Sequence, residues 1–230
     1  MAKIKFDYNV HKDAWSWVVI AKDKNIWGLD WENEIAHIPT DLLSKILKSN
    51  FSHAVKITEE YIKNESKKRY KKLIIKEEIN SLQKLWRTIE NKYFKILAAV
   101  MQKSIFSDNF GCFWTTGFMC PYNQKENWFM VSFWHSAPFS ITTICHEIMH
   151  LQFLHYYQNY LKKEGLKDNQ IEDLKEALTF LLNEQEFEEI ILSNDFGYPE
   201  HIQLRKKLRN IWLKDKNFKN LIDRAVLIIR

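Results

Sequence analysis

Two imidazoles one helical turn apart, with a carboxylate beside them, form a metal-binding pattern, and His146-Glu147-Ile148-Met149-His150 presents it. Neutral imidazole is a good zinc ligand, and side chains at i and i+4 leave a helix on one face, so both can reach the same ion. Glu147 follows the first imidazole and turns toward the open side of that ion, where a carboxylate can take a proton from water. With eight His and eighteen Glu in 230 residues, such a string arises by chance roughly 0.02 times, so the spacing is read as chemistry.

A third ligand is needed, because catalytic zinc usually takes three protein ligands and keeps one position open. The following helix offers Glu172 and Glu176 on a strip beside the apolar positions Ile171, Leu174, Leu178 and Leu181. Glu176 is favoured, since residues 175–183 are apolar enough to bury it and a buried carboxylate needs a partner. Glu172, nearer the helix start, fits better as a favourable charge on the helix dipole. A loop at residues 194–201 then supplies Tyr198 and His201, either of which can donate a hydrogen bond to a developing oxyanion. Arg205, one turn later, can hold that imidazole's surroundings or a substrate carboxylate. His155 turns to the far side of the motif helix and Cys145 points about 100° away from His146, so both read as structural.

These side chains need elements to position them. The motif helix is expected to start at Ser140 as N-cap, to bury Ile144, Ile148, Leu151 and Leu154, and to end after about five turns at Lys162, Lys163 and Gly165. The ligand helix is expected from Asp168 as N-cap and to run through Asn183. Residues 128–135, aromatic and β-branched without Gly or Pro, read as a strand buried on both faces. Residues 110–119 read as its hairpin partner, with Pro121-Tyr122-Asn123 turning the chain. Further expectations are a short strand at 4–8, helical structure from 41 to 106 and a helix at 202–213.

His146, Glu147 and His150 match the motif of the zincin metallopeptidases, and a Glu from a following helix resembles the gluzincin branch. The resemblance covers roughly residues 110–205. It implies an α+β, zincin-like fold, mainly helical, with a small mixed or antiparallel sheet next to the active-site helix. It also implies a Zn2+ ion held by His146, His150 and Glu176, with Glu147 as catalytic base. The strand ahead of the motif helix would run along the cleft and pair its free edge with an extended peptide. The chain departs from the family at the position four after the third ligand, commonly acidic, which is Phe180; reading Glu172 as the ligand would put Glu176 there.

At 46% hydrophobic residues, with nine Trp and fifteen Phe, the chain can bury a full core. A single domain over residues 1–230 is expected: a mostly helical part to 106, the strand and metal-binding helices at 107–205, and C-terminal helices at 206–230. The net charge of +5 comes mostly from helices of mixed sign, and the basic cluster at 67–72 is balanced by Glu59, Glu60, Glu77 and Glu78, so nucleic acid is not an expected partner. No apolar run has membrane-spanning length, and the first residues lack a signal-peptide core, which points to the cytoplasm. Cys112, Cys120 and Cys145 form no C-x-x-C pair. The expected function is zinc-dependent hydrolysis of a peptide or protein substrate. The alternative is a catalytically silent or narrowly specific zincin-fold protein that regulates or binds a partner.

Overall fold

The computed structural model describes residues 2–22, 38–65 and 69–230. Trp27, Trp31 and residues 67 and 68 of the basic cluster lie outside the described residues. The chain forms a mainly helical α+β fold around a mixed four-stranded sheet of order β1-β2-β4-β3. Strand β1 (Lys3–Tyr8) lies parallel to β2 (Asn109–Thr115), from Lys3 opposite Asn109 to Tyr8 opposite Trp114. β2 lies parallel to β4 (Trp128–Ser132), and β3 (Tyr122–Asn123) closes the other side of β4 in antiparallel pairing. The N-terminal strand therefore belongs to the same sheet as the strands beside the motif.

Period-two alternation divides the sheet's side chains between two layers. Phe110, Cys112, Trp114, Phe129 and Val131 enter the main core. On the opposite face Phe113 and Trp128 meet α1 (Val10–Lys22), with Lys12 Nζ 4.7 and 3.8 Å from their ring centres and Trp15 edge-on to Trp128. β4 is buried at all five positions, as a strand covered on both faces requires. The main core is filled from below by α4 (Arg69–Met101), through Trp86, Tyr93, Phe94 and Leu97, and by the C-terminal helices. A smaller core joins α1 to α2 (Thr40–Lys48) and α3 (Phe51–Glu65) through Ala14, Val18, Leu42, Ile46, Val55 and Ile62.

The expected hairpin is corrected. β2 and β4 run parallel, and the hairpin is formed by β3 and β4. Its turn is made by asparagines: Asn123 Oδ1 accepts from the backbone N–H groups of Lys125 and Glu126, and Asn127 takes the left-handed φ of 53°. Pro121, read as part of the turn, precedes the strand and accepts from Met130 N–H. β4 thus has neighbours on both sides, and the strand with an outer edge beside the motif helix is β3.

The motif helix, α5 (Ala137–Lys163), begins one turn before its expected start. Ser136 caps it, accepting from Phe139 N–H, and Pro138 sits in the first turn. Thr142 and Thr143 lie inside the helix, where their hydroxyls bond back to the carbonyls of Pro138 and Phe139. The C-terminal end follows expectation: Gly165 has φ 87°, and the N–H groups of Gly165 and Leu166 bond to the carbonyls of Lys162 and Leu161. In α6 (Asp168–Leu178) Asp168 is the first helical residue, and Gln170 Oε1 accepts from Lys167 N–H. Beyond Leu178 the chain tightens into a 3-10 turn, Thr179–Asn183. Short turns follow at Gln185–Phe187 and at Pro199–His201, the latter leading into α7 (Ile202–Asp215), which contains the helix expected at 202–213, and α8 (Phe218–Ile229) closes the chain.

Candidate metal centre

Helices α5 and α6 bring His146, His150 and Glu176 together, one donor atom from each lying within 4.8 Å of the others. Glu176 Oε2 is 3.3 Å from His146 Nε2 and 3.1 Å from His150 Nε2. The two imidazole centres are 4.1 Å apart. The site is enclosed: the side chains of His150 and Glu176 are 2% and 5% exposed, and that of His146, 15%, is its open side. Among the described residues neither nitrogen of His150 nor Oε2 of Glu176 has a hydrogen-bond partner. Buried polar atoms without partners are rare and need an explanation. Two such groups, His150 and Glu176, converge with His146, and two imidazoles and one carboxylate are a donor set that fits zinc.

Outer contacts fix this inner set. Asp195 Oδ2 lies 2.6 Å from His146 Nδ1, while its Oδ1 accepts from Thr179 Oγ1 and from Arg205 Nη2. Asn183 clasps the backbone of Asp195 from both sides, its amide donating to the carbonyl and its oxygen accepting the N–H, each at 2.8 Å. Arg205 also donates to Asp195 O and Thr179 Oγ1 at 2.7 Å. This approach depends on Gly197, at φ 65°, where an added Cβ would come within 2.6 Å of the guanidinium. An acid on one ring nitrogen leaves the other nitrogen to face a metal.

Glu147 is 6% exposed, and its Oε2 is buried without a partner. Burial pushes its carboxyl up to about 8, against the pull of His146 and with a further push from Glu176. Burial takes His150 down to about 3, outweighing Glu176, so this imidazole is neutral as a ligand must be. Burial also acts on Glu176, but His150 and Lys175 outweigh it and hold the carboxyl well below its usual range. For His146 burial is outweighed in the other direction: Asp195 and then Glu176 raise it well above the ordinary imidazole value.

Glu172, the competing ligand, is 37% exposed and pairs with Lys175 at 2.7 Å. Tyr198 is half-buried; burial raises its hydroxyl well above the ordinary phenol range, and the charges of Glu176 and Glu147 raise it further. His201 is buried, with Nε2 3.2 Å from Asp173 Oδ1 and the Tyr198 ring edge-on to it. Arg205, expected to hold the surroundings of His201 or a substrate carboxylate, donates to Asp195. His155 is exposed and stacks on Phe106, and Cys145 is buried.

Asp195, Thr179 and Lys175 are the residues that sequence reasoning missed. The position four after Glu176 is Phe180, and the acid on His146 is Asp195, from a loop 49 residues beyond it. No family model, curated protein or solved structure matches this chain.

Proposed function

We propose that the chain is a zinc-dependent hydrolase that cleaves peptide bonds, of the gluzincin type its motif resembles. The observation that carries this reading is the meeting of His146, His150 and Glu176 beside a buried Glu147 with an unpartnered oxygen. Zinc bound there would act as a Lewis acid on the scissile carbonyl and the attacking water. Glu147 would take the water's proton through its buried, unpartnered oxygen and return it to the leaving amine. Asp195 would hold His146 with Nδ1–H toward the carboxylate and Nε2 toward the centre. Tyr198, its hydroxyl kept neutral by burial, would donate to the oxyanion. His201, engaged by Asp173, would order the loop that carries Tyr198. An extended substrate would pair with the outer edge of β3, beside His150, in place of the expected edge of β4.

Among the described residues no helix is long and apolar enough to cross a membrane. The three free cysteines support a cytoplasmic setting. A second reading, a hydrolase restricted to one partner protein, draws on the enclosure of the centre, whose ligands are exposed only at His146. A mixed peptide library incubated with zinc-loaded protein tests the main reading, with new amino termini followed by mass spectrometry. Cleavage by the wild type and none by Glu147→Gln is expected; undiminished cleavage by that variant contradicts the assignment.

A further inference from the structure

We propose that Lys175 is a positioning residue for the metal centre, its ammonium holding Oε1 of Glu176 so that this carboxylate offers an ion Oε2 alone. The proposal rests on the metal-centre reading above and concerns how many donor atoms the chain contributes to it.

Lys175 is 2% exposed, and a lysine so deeply buried needs acceptors for its charge. It has three: Glu172 Oε2 at 2.7 Å, Tyr122 Oη at 2.9 Å and Glu176 Oε1 at 3.0 Å. They match the three N–H donors of an ammonium. The face of Tyr122 lies 4.5 Å from the same nitrogen. Tyr122 belongs to β3 and its ring centre is 6.1 Å from that of His150, so the lysine links the ligand helix to the edge strand beside His150.

The two oxygens of Glu176 therefore face different partners, Oε2 the two imidazoles and Oε1 the ammonium. Turning both toward an ion would leave a buried cation with one carboxylate fewer, which is strongly unfavourable. The chain is thereby limited to three donor atoms where a freely placed carboxylate would supply four. A nearby ammonium also repels a divalent cation. Its removal should therefore change coordination without weakening it, whereas a lysine that only supports the fold would loosen the site when lost.

Cobalt(II), bound in place of zinc, separates these outcomes, because its visible absorption is intense in four-coordinate sites and weak in five-coordinate ones. Wild-type protein titrated with cobalt should give the intense spectrum. Lys175→Met should give the weak one, with a Kd no higher than wild type, in contrast to the roughly 10–100-fold weakening usual for loss of an outer contact. A Lys175→Met protein with the wild-type spectrum, or with the weakening of an ordinary outer contact, overturns the proposal while leaving the metal centre standing. Wild-type protein that takes up neither cobalt nor zinc overturns the metal centre itself. If Lys175→Met does not fold, a crystal structure of the zinc-loaded wild type decides: one oxygen of Glu176 on the ion and the other on Nζ supports the proposal, and both on the ion overturns it.

Discussion

At the scale of single residues, the motif gave the two imidazoles and Glu147 directly, because all three lie within one turn of a single helix and need only the helix to meet. Glu176 required a further step, the burial of a carboxylate in an apolar run, and the structure places it against both imidazoles. Asp195 was not legible, since a loop carboxylate 49 residues from His146 has no spacing that betrays it. Its role predicts that Asp195→Ala weakens zinc binding by about 10–100-fold. Arg205→Ala should weaken it less, by releasing Asp195, and the double variant should be less affected than the sum of the two, because both act through one carboxylate. Zinc titration of the four proteins checks this; additive effects would mean that Arg205 does not act through Asp195.

At the scale of elements, the helices within 41–106, around the motif and at 202–213 were readable, whereas α1 was not, and the motif helix begins one turn before its expected start. Hydroxyl residues ahead of an apolar stripe signal a cap, but Ser136 and Ser140 both satisfy that description. Pro138 then favours the earlier one, because proline is tolerated in a first turn and not in a helix interior. The hairpin was misread for a related reason: Pro121 was weighed as a turn, whereas Asn123 and Asn127 make it. The helix stop at Gly165 offers a clean test. An added Cβ there meets nothing within 4 Å, so Gly165→Ala tests the positive φ alone. A loss of about 1 kcal/mol is expected, read as a lower denaturant midpoint at unchanged slope. An unchanged midpoint would show that the left-handed turn does not limit stability.

At the scale of the whole molecule, one buried carboxylate ties the smaller core to the sheet. Asp13 on α1 is fully buried; its Oδ1 accepts from Thr116 N–H and the Thr115 hydroxyl, and its Oδ2 from the hydroxyls of Tyr8 and Thr116. Sequence patterning does not reveal this, because an Asp four residues into a helix reads as a surface charge on the dipole. Asp13→Ala would strand those donors and should cost about 3 kcal/mol. Burial raises the Asp13 carboxyl above 3.8, against the hydrogen bonds that lower it. The folded state then holds this proton more tightly than the unfolded chain, so its contribution is full below 3.8 and is lost as pH rises through the folded value. Asp13→Asn keeps an acceptor for Thr116 N–H, and the hydroxyls can rotate to accept from its amide. Its stability should lack that decline, as urea unfolding across acid pH will show; a decline equal to wild type would remove Asp13 as its source.

The account's central claim is that His146, His150 and Glu176 hold one zinc ion, and metal content tests it most directly. Purified protein exposed to zinc and dialysed should retain one equivalent by elemental analysis. His150→Ala and Glu176→Ala should lose it, while Glu172→Ala, which leaves all three donors in place, should keep it. Wild-type protein that holds no zinc, or full retention in both His150→Ala and Glu176→Ala, would contradict the claim.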